Sequence, residues 1–226
     1  MEELKATGYN YNAITYTSEL EQILGKISIC YAMMIENNVE LPNDENEIRN
    51  VLLLKYLKNN DVRNNIGLLD YLFDREVPED VTKGRTDIKI QTKNTFTTTE
   101  AYYIIECKKL DNTNLTGTSG LNAEYINNGI YRFVSKYYSA YYRVNAMIGF
   151  VVEKMDIHTN ITNINALLRN SKINNCNTTQ EIQRATFINN FDYHYFSEHN
   201  DIDNESFALY HLMLDFSENI TKNVNG

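Results

Sequence analysis

Two short stretches of this chain hold the residues best suited to chemistry. In Gly84-Arg85-Thr86-Asp87-Ile88-Lys89-Ile90, Asp87 follows a glycine turn at the start of an apolar, β-branched run. In Ile104-Ile105-Glu106-Cys107-Lys108-Lys109, Glu106 and Lys108 stand two apart, so on an extended chain they point to one face. If the two runs pair as strands, two carboxylates and an ammonium converge. Such a set suits phosphodiester hydrolysis. Asp87 and Glu106 are hard oxygen ligands for Mg²⁺ or Mn²⁺, the Cys107 carbonyl is a third protein ligand, and Lys108 orients the water or balances developing charge. Glu47, at the head of a helical segment whose Ile48 and Val51 face the sheet, is a fourth candidate. Each residue alone has an ordinary reading as a turn aspartate or a solvated strand edge. Against that, Tyr103-Ile104-Ile105 runs straight into Glu106, and a strand buried on both faces seldom holds a carboxylate without a partner or a metal.

These residues need elements to position them. From Ser18 to Glu36, Leu20, Ile23, Leu24, Ile27, Tyr31 and Met34 recur at helical spacing, with Ser18 and Glu21 as a capping box. A second helix follows the acidic stretch Asp44 to Glu47, and a third is expected over Asn65 to Phe73, ahead of a charged loop from Asp74 to Lys83. Thr86 to Gln91 and Tyr102 to Cys107 read as paired strands. After the polar loop Asp111 to Gly120, Leu121 to Tyr138 returns to helical period, and Ala146 to Val152 is a buried strand, so a parallel crossover is expected. Asn163 to Asn170 is weakly helical, and Phe187 to Phe196 and Phe207 to Phe216 are two further strands. The sum is an α/β domain in which helices flank a mixed central sheet and extra helices come first.

With those elements in place, Asp87 followed by Glu106-Cys107-Lys108 on neighbouring hydrophobic strands resembles the PD-(D/E)xK nuclease superfamily, which includes restriction endonucleases and Holliday-junction resolvases. The resemblance covers roughly Glu45 to Val152. It implies a restriction-endonuclease-like core, metal binding by Asp87 and Glu106, a catalytic Lys108, a helical Glu47 and an assisting residue, Tyr125, on the following helix. Thr86 stands where the family's name has proline. DNA is the substrate such a resemblance implies, in restriction, phage defence or repair, and RNA stays open. A homodimer, with the helix from Ser18 to Glu36 as its interface, or a partner subunit of a defence system would fit such a role. The competing reading is a module of the same fold that has lost turnover and recognises nucleic acid or protein.

A second pattern points to a polyanion. Between Tyr125 and Asn145 stand Arg132, Lys136 and Arg143, six tyrosines and no acidic residue. On an α-helix Tyr125, Gly129, Arg132 and Lys136 share a face, and cations interleaved with aromatics can contact phosphates and stack on bases. The bland alternative has the tyrosines at core edges and the arginines paired with surface acids. The chain as a whole carries a formal charge of -9, which excludes a broad basic binding surface and requires any polyanion to be met locally. The histidines lack metal-ligand spacing, and Cys30, Cys107 and Cys176 are too irregular for a zinc site or a disulfide framework. No stretch reaches the roughly 18 to 20 apolar residues of a membrane span, and the start MEELKATGYNYN does not read as a secretory signal, so no membrane and a cytoplasmic location are expected. Without a linker or repeat, residues 1–226 read as one domain.

Overall fold

The computed structural model describes residues 9–78, 85–138 and 141–221. Its centre is a seven-stranded sheet built from β1 (Leu72–Pro78), β2 (Arg85–Gln91), β3 (Tyr102–Leu110), β4 (Val144–Val151), β5 (Thr178–Arg184), β6 (His194–Asn200) and β7 (Ser206–Asp215). The order across the sheet is β1-β2-β3-β4-β7-β6-β5. Neighbours are parallel from β3 through β4 to β7 and antiparallel on either side. The architecture is therefore α/β with a mixed sheet, and the expected parallel crossover between β3 and β4 is present.

Seven strands exceed the five expected. β1 forms where a charged loop was expected, because register with β2 outweighs the poor intrinsic strand preference of Asp74, Arg75 and Glu76. β5, reading TTQEIQR, is an edge strand with one buried apolar residue, Ile182, and so carries no alternating pattern. The third helix, α3 (Asn60–Ile66), lies earlier than expected, capped by Asn59 and closed by Gly67 at φ 72°.

Two cores cover the sheet. On one face α1 (Tyr9–Glu36) lays Leu20, Ile23, Leu24, Ile27, Cys30 and Met34 against Ile88, Ile105, Ile148 and Leu212. Its apolar stripe is covered by the chain's own sheet. The opposite face carries α4 (Leu121–Tyr125), α5 (Tyr131–Val134) and α6 (Ile157–Leu168) over Ile104, Met147, Leu209 and Met213. Strand alternation assigns the two faces: Ile105 and Cys107 point to the first core, Glu106 and Lys108 to the second.

Two helical segments widen into π-helix. One is Leu52–Leu57, which continues α2 (Glu45–Val51), and the other is Ile126–Ile130, which joins α4 to α5. A π turn rotates everything beyond it relative to an α-helical register. The expected face of Tyr125, Gly129, Arg132 and Lys136 is broken at that point. The helix also ends at Val134, and Lys136 lies beyond it with φ 55°. Gly84 and the glycine turn expected before Asp87 lie outside the described residues.

Candidate active site

The strand register places three carboxylates in one row. Arg75 pairs with Ile88 and Val77 with Thr86, which leaves Glu76 across from Asp87. Ile88 pairs with Ile105, and one step further Asp87 lies across from Glu106. The ladder opens at this step. Cys107 N–H donates to the Asp87 carboxylate at 2.8 Å instead of to a strand carbonyl. Glu76 holds φ at 50°, a left-handed conformation that is costly for a long side chain and is sustained by its surroundings.

Basic side chains stand between the acids. Arg49, on α2 and only 2 % exposed, donates to Asp87 at 2.9 Å and to Glu76 at 2.8 Å, and its Nε has no partner among the described residues. Lys108 Nζ lies 2.7 Å from Glu106, 3.3 Å from Glu45 and 4.0 Å from Asp87, and donates to the Cys107 carbonyl at 2.7 Å. Arg132 reaches Glu106 at 2.6 Å and the Tyr138 hydroxyl at 3.0 Å, while that hydroxyl donates to the other Glu106 oxygen. The result is a chain of alternating charge, Glu76, Arg49, Asp87, Lys108, Glu106, Arg132, laid across three strands and two helices.

Glu106 forms the floor, fully buried, while Asp87, Glu45, Arg132 and Glu76 make a progressively open rim. Burial and the nearby Asp87 push the Glu106 carboxyl up to about 7, against the pull of Lys108 and Arg132. Burial disfavours the Lys108 ammonium, but Glu106, Glu45 and Asp87 outweigh it and hold its pKa above the ordinary lysine value. Burial likewise opposes the Arg132 charge and Glu106 more than restores it. All three groups are tied together, so the protons of this cluster belong to the cluster as a whole.

The structure thus brings Asp87, Glu106, Lys108 and the Cys107 carbonyl together. It does not bring Glu47. That side chain is exposed, and its backbone N–H donates the capping bond to the Asp44 carboxylate. Glu45 fills the place instead, bonded to Lys108 and to the Lys109 N–H at 2.6 Å. The correction is helical arithmetic: Glu45, Ile48, Arg49 and Leu52 follow i, i+3, i+4, i+7 on the face turned to the sheet, and Glu47 falls off it. Arg49, Glu45, Glu76 and Tyr138 escaped the sequence reading, and only the Glu45–Arg49 face was legible in it.

The expected nucleic-acid face is also corrected. Tyr125 is fully buried and bonded to His211 at 2.8 Å, so its ring is no stacking platform. Arg143 is held by Asp201 at 2.8 Å and by the Ser206 and Glu205 carbonyls. Lys136 pairs with Asp203 at 2.6 Å on the surface. Of the four expected residues, only Arg132 joins the carboxylate row. Gly129 serves packing: an added Cβ would meet Met147 at 2.3 Å and Lys108 Cγ at 3.6 Å, so its hydrogen lets the π segment press onto β3 and β4.

No three or more His, Cys, Asp or Glu side chains among the described residues are disposed as a metal-binding group. What the cluster does hold is a cation of its own, the Lys108 ammonium, with three carboxylates and a carbonyl oxygen within 4.0 Å of it. Carboxylate and carbonyl oxygens are also the donor type that a hard divalent cation takes. No family model, curated protein or solved structure matches the chain. No described helix is long and apolar enough to cross a membrane.

Proposed function

We propose that the chain is a metal-dependent nuclease of the PD-(D/E)xK type, with a restriction-endonuclease-like core, that hydrolyses phosphodiester bonds of DNA. The observation that carries this reading is the convergence of Asp87, Glu106, Glu45 and the Cys107 carbonyl around the Lys108 ammonium, which joins two carboxylates, a helical carboxylate and the lysine of the expected set in one place. Asp87, Glu106 and the Cys107 carbonyl would hold Mg²⁺ or Mn²⁺, and Glu45 replaces Glu47 as the helical carboxylate. When bound, the ion supplies Lewis acidity at the scissile phosphate and a more acidic water.

The chain's own residues have distinct tasks. Arg49 and the Cys107 N–H fix the Asp87 carboxylate through separate oxygens, leaving one rotamer. Tyr138 and Arg132 do the same for Glu106. Lys108 keeps a proton at Nζ and can donate to a phosphate oxygen or orient the attacking water. Arg132, a third exposed, is a rim cation that can meet a phosphate. A duplex or single strand can meet a recessed row with a polar rim. Antiviral defence is the setting that the sequence resemblance suggests, and a homodimer or partner subunit would supply the basic surface this acidic chain lacks.

A second reading is favoured by one specific fact. Every Asp87 and Glu106 oxygen already has a protein partner, as in a structural ion-pair network of a catalytically silent binding module. Incubation of the purified chain with supercoiled plasmid, linear duplex, single-stranded DNA and RNA, in Mg²⁺, Mn²⁺ or EDTA, separates the two. The nuclease reading expects cleavage of DNA that requires the metal. Absence of metal-dependent cleavage on every substrate supports the silent module.

A further inference from the structure

We infer that Lys108 is an internal plug: its ammonium holds the cation position of the site, and a divalent ion binds only by displacing it. The inference rests on the nuclease reading and concerns the regulation of that site.

The geometry leads to it directly. Lys108 Nζ is a donor with at most three hydrogens, yet it has two oxygens at 2.7 Å, a third at 3.3 Å and a fourth at 4.0 Å. These oxygens come from three separate elements: Glu45 on α2, Asp87 on β2, Glu106 and Cys107 on β3. Arg49 and Arg132 each pair with one of these carboxylates, while Lys108 is the cation that lies within 4.0 Å of all three. Its side chain is 9 % exposed, so water screens the attraction little. The residue also folds back on its own strand. Its ammonium bonds the carbonyl of the residue before it, a curled conformation in place of the usual extension toward solvent.

An ammonium and a divalent ion cannot share this position, because like charges about 3 Å apart repel strongly where water is scarce. Metal entry therefore moves Nζ off Glu106 and the Cys107 carbonyl. Tyr138 keeps the other Glu106 oxygen in place during the exchange, and Arg132 stays on the oxygen that it shares with Lys108. The released ammonium is then free to meet a phosphate or a water. One side chain thus blocks the metal at rest and becomes available for chemistry once the metal is in.

The test is calorimetric titration of Mn²⁺ alone into wild type, Lys108→Met and Lys108→Gln, without nucleic acid. Circular dichroism selects the variants that are folded, and Gln retains a polar end for Glu106 should Met unfold. Both neutral variants are expected to bind Mn²⁺ at least about tenfold more tightly than wild type. A variant that binds while wild type does not would support the plug even more strongly. Wild-type binding with equal or weaker binding by the folded variants overturns the plug and leaves the nuclease reading standing. No binding by any of the proteins overturns both.

Discussion

Arg49 shows how much of the site depends on one side chain. Its planar fork spans two acids on different strands, a geometry that lysine cannot reproduce. Arg49→Lys is expected to free one of the two carboxylates, lower metal-dependent cleavage about tenfold and reduce stability by about 1–2 kcal/mol in a urea melt, Asp87 and Glu76 being partly hydrated. Unchanged cleavage with reduced stability would make Arg49 a purely structural residue. The Asp87, Glu106 and Lys108 triplet was legible because strand alternation is a local rule: two residues apart means one face. Arg49 and Glu76 were not, since their meeting depends on the β1–β2 register, and β1 itself was hidden in a charged segment. Tyr138 was hidden differently, as one of six tyrosines in a short stretch.

At the scale of elements, a buried polar chain ties α4 to β7, β6 and the loop that carries Cys176. His199 Nδ1 lies 3.1 Å from the Cys176 carbonyl, which can only accept, so Nδ1 carries the proton and Nε2 accepts from Ser197. Ser197 Oγ must then accept from His211 Nε2, which leaves His211 Nδ1 to accept from the Tyr125 hydroxyl. The His199 Nδ1–H is shared between the Cys176 carbonyl and the Thr178 hydroxyl at 3.1 Å, and every ring is neutral. Ser197→Ala removes the central member and leaves two ring nitrogens without partners, so a loss of about 1–3 kcal/mol is expected in chemical denaturation. A neutral substitution would show that water replaces the hydroxyl. Elsewhere the packing of α1 sets the scale: Leu24→Ala or Ile27→Ala, at fully buried positions, should cost about 2–5 kcal/mol. The α1 period was plain in the sequence. The π segments were not, because a one-residue widening leaves hydrophobic spacing almost unchanged while it turns Arg132 relative to Tyr125.

For the whole molecule, buried titratable groups predict an acid-labile fold. Burial lowers His199 to about 4 and His211 to about 3, from an ordinary 6.5. The unfolded chain therefore binds protons that the folded chain refuses, and stability falls as pH drops from 6.5 toward 4. Glu106 has the opposite sign: raised from 4.5 to about 7, it favours the folded state below that range and loses this as pH rises through it. Two histidines outweigh one carboxyl, so the thermal midpoint should decline steadily from pH 6.5 to pH 4. A flat profile over that span would mean the histidine chain is hydrated. The acidic balance of the chain was evident from composition, whereas the concentration of its charges into one self-neutralised row follows only from the fold.

The central claim is that this row is a catalytic centre, and cleavage of supercoiled plasmid in Mn²⁺ by wild type beside a Glu106→Ala/Lys108→Ala double variant tests it most directly. With folding of the variant checked by circular dichroism, the expectation is metal-dependent nicking by wild type and a loss of about a hundredfold or more in the variant. Equal rates for the two proteins would place any nuclease activity outside the Asp87, Glu106 and Lys108 cluster and contradict the account.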